Sequence, residues 1–320
     1  MAEVKDTAFD IRDYLREDLF PHFMCAGCGH GIALRAFLWA VHEQEIPLDQ
    51  LAVVSGIGCS GRTAAYIDTN TVHVTHGRPL TFATGLKLAR PDLHVVVITG
   101  DGDCLAIGGN HLIHACRRNL DITCILLNNE IYGMTGGQAS PTTSEARYTT
   151  TTPLGNHEPG FDACQLAAAA GASFVGREIT MHTPALKDLF KQGLSHHGFS
   201  FIEVISSCTE IYGRKNDLGN SPEMVVGQKA GLRPDSYGGP VDEPFVPGGW
   251  ETGVLTRKER KEYADAYRQV VETAQGAGHE CIRTPVAIER QRRSVPAARG
   301  QGFGRCPSPG RAVCGSVPGL

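Results

Sequence analysis

Residues 93–102 read LHVVVITGDG, a run of apolar and β-branched residues that ends in a cluster of glycines and acids. A second apolar run, ITCILL at 122–127, ends in the polar cluster NNEIYGMTGGQ at 128–138. Both runs have the length and composition of buried β-strands. Residues 104–119, between the two runs, have helical composition. Strand, helix and strand in this order form the unit from which parallel sheets are built.

The same alternation of strand and helix extends over residues 1–216. Further strand-type runs occupy 51–58, 172–178 and 200–208, and further helical segments occupy 31–44, 79–91, 162–171 and 183–197. The strands are apolar on both faces, which predicts an α/β fold with a parallel sheet and helices on both of its faces. Ligands of such sheets bind beyond the carboxyl ends of the strands. We therefore expect the polar clusters that follow the strands to converge on one site.

Composition excludes several classes of function. The chain has 320 residues, of which 41% are hydrophobic and 20% charged, and its net charge of −4 does not favour nucleic acid as a partner. It contains no uncharged apolar run of about 18 residues, so we expect no membrane span. The N-terminus, MAEVKDTAFDIRDYLRED, lacks the apolar segment of a secretory signal. We expect a cytoplasmic protein.

The chain divides into three parts by composition. Residues 1–216 carry the α/β pattern, and residues 217–282 read as an extension of loop followed by helix, which we assign to contact with another subunit. Residues 283–320 are basic and rich in Gly, Pro and Arg without any period, so we expect little ordered structure there. Such a tail fits either a shifted reading frame or an extension specific to one lineage.

The acidic turn GDGD has the chemistry of a metal–phosphate site. Its glycines allow close approach of the backbone, and the following helix would direct its N-terminus towards a phosphate. A carboxylate beside a phosphate requires a cation between them, and Mg²⁺ prefers oxygen ligands. Asp101 offers one oxygen, Asn128 or Asn129 an amide oxygen, and the main chain near Ile131 a carbonyl. The alternative is a pair of ordinary strand-end turns, in which these residue types are common.

Four cysteines lie in motifs that indicate metal binding. Cys25 and Cys28 form a C-x-x-C, Cys59 lies in GIGCSGR, and Cys208 lies in EVISSCTEIYGR. A C-x-x-C by itself is ambiguous among a zinc site, a redox dithiol and an iron–sulfur cluster, and four cysteines suit zinc and a 4Fe–4S cluster equally. Four of the remaining cysteines are expected to be small buried residues: Cys104, Cys116, Cys124 and Cys164. The other three lie near or within the basic tail: Cys281, Cys306 and Cys314.

Weaker signals surround these motifs. Gly56, Gly58 and Gly61 match the dinucleotide fingerprint G-x-G-x-x-G, but the acidic residue expected about 20 positions later is missing. His76, in the turn THGRP, reads either as a capping histidine or as a site residue. His30 is interpreted either as a hydrogen-bond donor next to a ligand or as a solvent-facing side chain. Arg214 is interpreted either as a substrate contact or as a contact with another subunit.

The two motif sets together resemble the beta subunit of the 2-oxoacid:ferredoxin oxidoreductases. The resemblance covers residues 15–216 and includes the segments CAGCGHG, GIGCSGR, THGRPLTFATGLKLA, GDGDCLAIGGNH, LLNNEIYGMTGGQASPTT and SSCTEIYGR. One departure is CAGC where many relatives have CPGC, which changes a turn residue and no ligand.

The resemblance implies thiamine diphosphate (ThDP), Mg²⁺ and one 4Fe–4S cluster as cofactors. By this resemblance Asp101, Asn129 and the Ile131 carbonyl hold Mg²⁺, while Gly102 and Asp103 lie against the diphosphate. His76 and Asn129 take the catalytic positions. The cluster ligands are Cys25, Cys28, Cys59 and Cys208, and the further cofactor-binding positions are Gly58, Ser60, Gly100 and Gly133.

The reaction implied is the oxidative decarboxylation of a 2-oxoacid with coenzyme A, in which electrons pass through the cluster to ferredoxin. No second comparable αβ domain follows residue 216, so the family's alpha subunit would supply the pyrimidine-binding half, in a dimer of αβ heterodimers. The segment SSCTEIYGRKN favours 2-oxoglutarate over pyruvate or a branched-chain 2-oxoacid. Two other hypotheses are a non-redox ThDP decarboxylase or synthase subunit and a zinc-stabilised, non-catalytic interaction subunit.

Overall fold

A mostly parallel sheet forms the centre of the molecule. The computed structural model describes residues 9–231 and 249–276, and those up to Thr273 form one compact unit. Within the described residues the sheet has seven strands, and a separate two-stranded hairpin lies beside it. The sheet strands are β1 Leu51–Ser55, β2 Asn70–His73, β3 His94–Gly100, β4 Thr123–Asn128, β7 Phe174–Ile179, β8 Ser200–Ile205 and β9 Gly253–Arg257, and the hairpin strands are β5 Ile131–Tyr132 and β6 Gln138–Ala139.

Helices cover both faces of the sheet. They are α1 Gly29–Glu43, α2 Cys59–Tyr66, α3 Pro79–Ala89, α4 Gly109–Arg118, α5 Ala163–Ala169, α6 Thr183–Leu194, α7 Ser221–Gly227 and α8 Tyr263–Gly276. Two π-helical turns, Gly102–Ile107 and Thr209–Gly213, follow β3 and β8. One core cluster joins the sheet to α3, α4 and α5, and the other joins it to α1, α2 and α6. Every residue of β1, β4, β7 and β8 is buried, because both faces of these strands are covered.

The strand order is β2-β1-β3-β4-β8-β7-β9, and neighbours among the first six strands run parallel. The predicted α/β class is confirmed, and each of the five predicted strand runs contains a strand. From β1 the chain turns to β2 on one side, and β3 lies on the other side. The order of the strands therefore reverses between β1 and β3, and a crevice for a ligand is expected at that point.

The segment after residue 216 differs from the expected loop and helix. Gly253–Arg257 forms strand β9, which pairs antiparallel with β7 across a β-bulge at Val175 and Gly176. The short run GVLTR carries little strand signal of its own, and it becomes a strand by pairing with the exposed edge of β7. The boundary at 216 stays a prediction, and the tail 283–320 lies outside the described residues. In the described ranges no helix is long and apolar enough to cross a membrane.

Phe201 provides a test of the core. This side chain is in β8, is fully buried, and belongs to the cluster beneath α3, α4 and α5. We expect Phe201→Ala to lower the free energy of unfolding by about 3–5 kcal/mol, because it removes apolar contact and leaves a cavity. Urea denaturation measures the change. The control Phe82→Ala removes a ring that is 53% exposed, and equal losses in the two variants would contradict the assignment of the core.

Candidate functional site

A cavity of about 170 Å³ lies at the carboxyl ends of β1, β3 and β4. All of the cofactor-binding positions predicted from the sequence lie in its wall, and so do His30, Tyr132 and Met134. The predicted positions in the wall are Gly58, Ser60, His76, Gly100, Asp101, Gly102, Asp103, Asn129, Ile131 and Gly133. The polar clusters therefore converge as the parallel sheet requires, although they are distant in sequence.

The pairing of β3 with β4 brings Asp101 and Asn129 to the same edge of the sheet. Gly100 is in register with Leu127, so each of the two polar residues follows soon after its strand. Asn128 accepts a hydrogen bond from the Glu130 N–H at 3.0 Å, and the Ile131 N–H donates to Asn129 Oδ1 at 3.4 Å. These contacts shape the tight turn between β4 and β5.

Asp101 is a buried carboxylate that suits a cation. Only 3% of the residue is exposed, and burial raises the pKa of Asp101 to about 6. The groups that oppose this shift are neutral donors, including the hydroxyls of Ser140 and Thr142 and the Gly102 backbone. Thr142 Oγ1 lies 2.9 Å from Asp101 Oδ2. A divalent cation would offset the buried charge, and the carboxylate, amide and carbonyl oxygens of 101, 129 and 131 are the donors that Mg²⁺ prefers.

Asp103 ties together the turns that surround the cavity. Its Oδ1 accepts from the Gly77 N–H at 2.7 Å, from His76 Nδ1 at 2.6 Å and from the Ile57 N–H at 3.2 Å. Its Oδ2 accepts from Thr99 Oγ1 at 2.7 Å. The carboxylate is thus engaged by protein donors, while contact of this residue with a diphosphate stays a prediction. Nδ1 of His76 faces the Asp103 carboxylate, which only accepts, so in the neutral imidazole Nε2 is an acceptor.

The glycines that resemble a dinucleotide fingerprint have local structural causes. Gly58 has φ of +113°, a backbone conformation that side chains disfavour, and it caps the N-terminus of α2. A Cβ at Gly61 would lie 1.9 Å from the Gly56 carbonyl oxygen. The pattern is therefore explained by the tight turn between β1 and α2 and does not require a dinucleotide.

The four predicted cluster cysteines meet at a second cavity. This cavity has a volume of about 240 Å³ and is lined by Cys25, Cys28, Cys59 and Cys208. Cys59, Asn129, Gly133 and Met134 line both cavities, so the two sites share a wall. The four cysteines are free thiols, and no three of their Sγ atoms lie within 4.8 Å of one another.

The environment of these thiols fits a cationic metal centre. Burial raises the pKa of Cys28 to about 12 and also raises the pKa of Cys59 and of Cys208. Negative charge on neighbouring thiolates adds to each shift. Backbone N–H groups of His30, Met134 and Tyr212 lie against the sulfurs, as is common around iron–sulfur clusters. The set therefore provides sulfur ligands that a metal would stabilise as thiolates.

Sequence reasoning missed three polar side chains near the site. Thr142, from the loop after β6, contacts Asp101, and Ser206 Oγ lies 3.0 Å from the buried His30 Nδ1. Glu203 is buried in β8 and accepts from Asn128. An acidic residue inside the apolar run SFIEVIS was the available signal for Glu203. Arg214 lies on the surface beside Glu210 and lines neither of the two cavities.

Comparisons with known proteins agree with this geometry. Residues 56–204 match the family model described as thiamine pyrophosphate enzyme, C-terminal TPP binding domain. The chain is 45% identical to the 2-oxoglutarate synthase subunit KorB of Methanothermobacter thermautotrophicus over 271 residues, 85% of this chain and 95% of the relative. It is 54% identical to the KorB subunit of Archaeoglobus fulgidus over 199 residues, 62% of this chain and 74% of the relative.

The chain is also similar to a solved structure, and the similarity covers most of both chains. That structure is the 2-oxoglutarate:ferredoxin oxidoreductase from Magnetococcus marinus with 2-oxoglutarate, coenzyme A and succinyl-CoA bound. The similarity has a TM-score of 0.75 at 30% sequence identity, and it covers 88% of this chain and 98% of that chain.

Asp103 gives a test of how the cavity is held together. Asp103→Asn keeps the shape of the side chain but removes its negative charge, which weakens the hydrogen bonds to Oδ1, and it places an NH₂ group against the Thr99 hydroxyl. We expect the free energy of unfolding to fall by about 2–3 kcal/mol, because these groups are buried. Urea denaturation of Asp92→Asn is the control, since Asp92 is a surface carboxylate paired with Arg90. A loss for Asp103→Asn no larger than that of the control would contradict the assigned role.

Proposed function

The chain belongs to the family of 2-oxoacid:ferredoxin oxidoreductase beta subunits, and from this membership we propose that it is the ThDP-binding half of a 2-oxoglutarate:ferredoxin oxidoreductase. Such a subunit takes part in the oxidative decarboxylation of a 2-oxoacid with coenzyme A, which gives an acyl-CoA and CO₂ and transfers the released electrons to ferredoxin. The observation that carries the proposal is the shared wall between the cavity at Asp101 and Asn129 and the cavity with four thiols.

The oxygen donors around the first cavity fit magnesium and a diphosphate. Asp101, Asn129 and the Ile131 carbonyl would hold Mg²⁺, and the backbone at Gly102 and the start of α2 would face the phosphates. When bound, ThDP supplies the carbanion chemistry that decarboxylates a 2-oxoacid, and a 4Fe–4S cluster accepts the released electrons one at a time. His76, held by Asp103 through Nδ1, would offer Nε2 as a proton acceptor in the wall of the cavity that we assign to ThDP.

The four thiols that line the second cavity support a metal centre held by cysteine sulfurs. In a tetrahedral zinc site with Zn–S bonds of about 2.3 Å, the sulfurs lie about 3.8 Å apart. No three of the four Sγ atoms of Cys25, Cys28, Cys59 and Cys208 meet even the wider limit of 4.8 Å. A cubane cluster holds its cysteine sulfurs farther apart than a single ion does, and we propose 4Fe–4S and electron transfer to ferredoxin because the relatives and the solved structure are 2-oxoglutarate synthases and ferredoxin oxidoreductases.

Exposed apolar side chains at the rim support an alpha subunit as partner. Ile57 and Met134 line the first cavity, yet they are 39% and 43% exposed. A partner that covers them would also exclude water from the cofactor. We propose an αβ unit that dimerises, in which the alpha subunit contributes the pyrimidine-binding half. The names of the relatives and of the solved structure favour 2-oxoglutarate over pyruvate and branched-chain 2-oxoacids.

The direct test of the proposed function uses the complex purified with its alpha subunit. We expect bound iron, sulfide and thiamine, visible absorbance that dithionite bleaches, and ferredoxin reduction that requires both 2-oxoglutarate and coenzyme A. Thiamine without iron would instead support a non-redox decarboxylase or synthase subunit. Zinc without iron or thiamine would support an interaction subunit. Preference for pyruvate would correct the substrate and leave the reaction class in place.

Replacing single cysteines separates the two cofactor sites. We expect Cys208→Ser to lower the iron content at least several-fold while ThDP still binds, because the hydroxyl is a poor ligand for iron and Cys208 lies outside the wall of the first cavity. Iron and thiamine analysis of the purified complex measures both quantities. Cys116→Ala is the matched control, since Cys116 is a buried cysteine in α4. Full iron content in Cys208→Ser would contradict the ligand assignment.

A further inference from the structure

A row of buried polar side chains crosses the sheet towards Asp101. Arg177 in β7, Glu203 in β8 and Asn128 in β4 belong to adjacent strands. Arg177 and Glu203 are register partners, and Thr142 lies between Asn128 and Asp101. Each of these five residues is more than nine-tenths buried. The row therefore connects the far side of the sheet with the cavity.

The outer half of the row is a buried ion-pair cluster. Arg177 Nε donates to Glu203 Oε2 at 2.6 Å, and Arg177 Nη2 donates to Asp162 Oδ1 at 2.6 Å. Asp162 also caps α5 by accepting from the Gln165 N–H at 2.9 Å. Arg177 thus has one carboxylate partner on the helix side and one on the side of the cavity.

In the inner half of the row, the Glu203 carboxylate fixes the orientation of the Asn128 amide. Asn128 Nδ2 donates to Glu203 Oε1 at 2.8 Å. Because an ionised carboxylate only accepts, Asn128 must present its NH₂ group to Glu203 and its oxygen to the opposite side. There Asn128 Oδ1 accepts from the Glu130 N–H at 3.0 Å. This contact sets the turn on which Asn129 and Ile131 lie.

Thr142 extends the same row to the other strand end. Its hydroxyl lies 2.8 Å from Asn128 Oδ1 and 2.9 Å from Asp101 Oδ2. The hydroxyl has a single proton, so it donates to one of these oxygens at a time. A cation on Asp101 would lessen the demand of the carboxylate for that proton, and the hydroxyl would then donate to Asn128. The Thr142 hydroxyl can therefore form a hydrogen bond whether or not a cation is bound to Asp101.

Stability alone does not explain why the chain buries these charges. Replacing a buried ion pair by apolar residues of similar volume is often neutral or stabilising. We propose that Glu203, acting through Asn128 and Thr142, is a positioning residue that orients the oxygen donors of Asp101, Asn129 and Ile131 for Mg²⁺. This inference rests on the proposed function, because it assumes the magnesium–diphosphate group at those donors.

The test compares two carboxylates that share Arg177. Glu203→Gln keeps the shape of the side chain, but its amide must either turn an oxygen away from Arg177 or offer an NH₂ group to Asn128. Asp162→Asn removes a carboxylate from the same guanidinium and does not touch Asn128, and asparagine still caps helices. The purified αβ complex is stripped with EDTA and titrated with Mg²⁺ at saturating ThDP, and the quenching of protein fluorescence gives Kd.

We expect Glu203→Gln to raise the Kd for Mg²⁺ about 10- to 100-fold, as for residues that orient metal ligands. For Asp162→Asn we expect less than about a twofold change in Kd, although its melting temperature falls. Equal changes in Kd for the two variants, or none in Glu203→Gln, would overturn the proposal. If the unmodified complex binds neither Mg²⁺ nor ThDP, the proposed function fails instead, and the two failures are distinguishable.

Thr142 supplies an independent comparison in case Glu203→Gln does not fold. Thr142→Val removes the hydroxyl at nearly constant volume, and we expect the Kd for Mg²⁺ to rise about tenfold or more. Thr142→Ser keeps the hydroxyl and should restore affinity to within about threefold of the unmodified complex. Equal Mg²⁺ affinity of the valine and serine variants would overturn the role of the hydroxyl, because only the serine variant retains it.

Discussion

The parallel pairing of β3 with β4 is the constraint on which the site depends. Gly100 and Leu127 are in register, so Asp101 and Asn129 emerge at the same edge of the sheet and line one cavity there. The reversal of strand order beside β3 opens the crevice there. Cys59 begins α2 on the other wall of that crevice, which brings the thiols next to the same cavity. One edge of one sheet thereby carries both candidate cofactor sites.

Burial makes the polar groups around this edge depend on one another. A carboxylate removed from water needs donors or a cation, and Asp103 and Asp101 meet this need in different ways. Asp103 is held by protein donors from two turns and from strand β3. Asp101 receives the hydroxyl of Thr142 and keeps an oxygen arrangement suited to Mg²⁺. The first carboxylate holds the cavity in shape, and the second is the proposed ligand of Mg²⁺.

Much of this arrangement follows from the sequence, and the exceptions share a physical cause. The β-branched runs and the polar clusters after them predict the sheet and its edge. The pairing of β9 depends on an exposed strand edge more than 70 residues away in the chain, and Thr142 reaches Asp101 across 41 residues. The direction of the Asp103 carboxylate depends on the π-helical turn that contains it. The order of the strands thus predicts which polar clusters lie close together. Which individual side chains form hydrogen bonds can be seen only in the folded structure.

An experimental structure of the αβ complex with ThDP and Mg²⁺, with diffraction data collected at the iron absorption edge, tests the central claim most directly. We expect anomalous density from iron between the sulfurs of Cys25, Cys28, Cys59 and Cys208. We also expect a magnesium ion bound by Asp101, Asn129 and the Ile131 carbonyl, next to a diphosphate. Density from zinc among the cysteines, or a diphosphate bound away from the ends of β3 and β4, would contradict the claim.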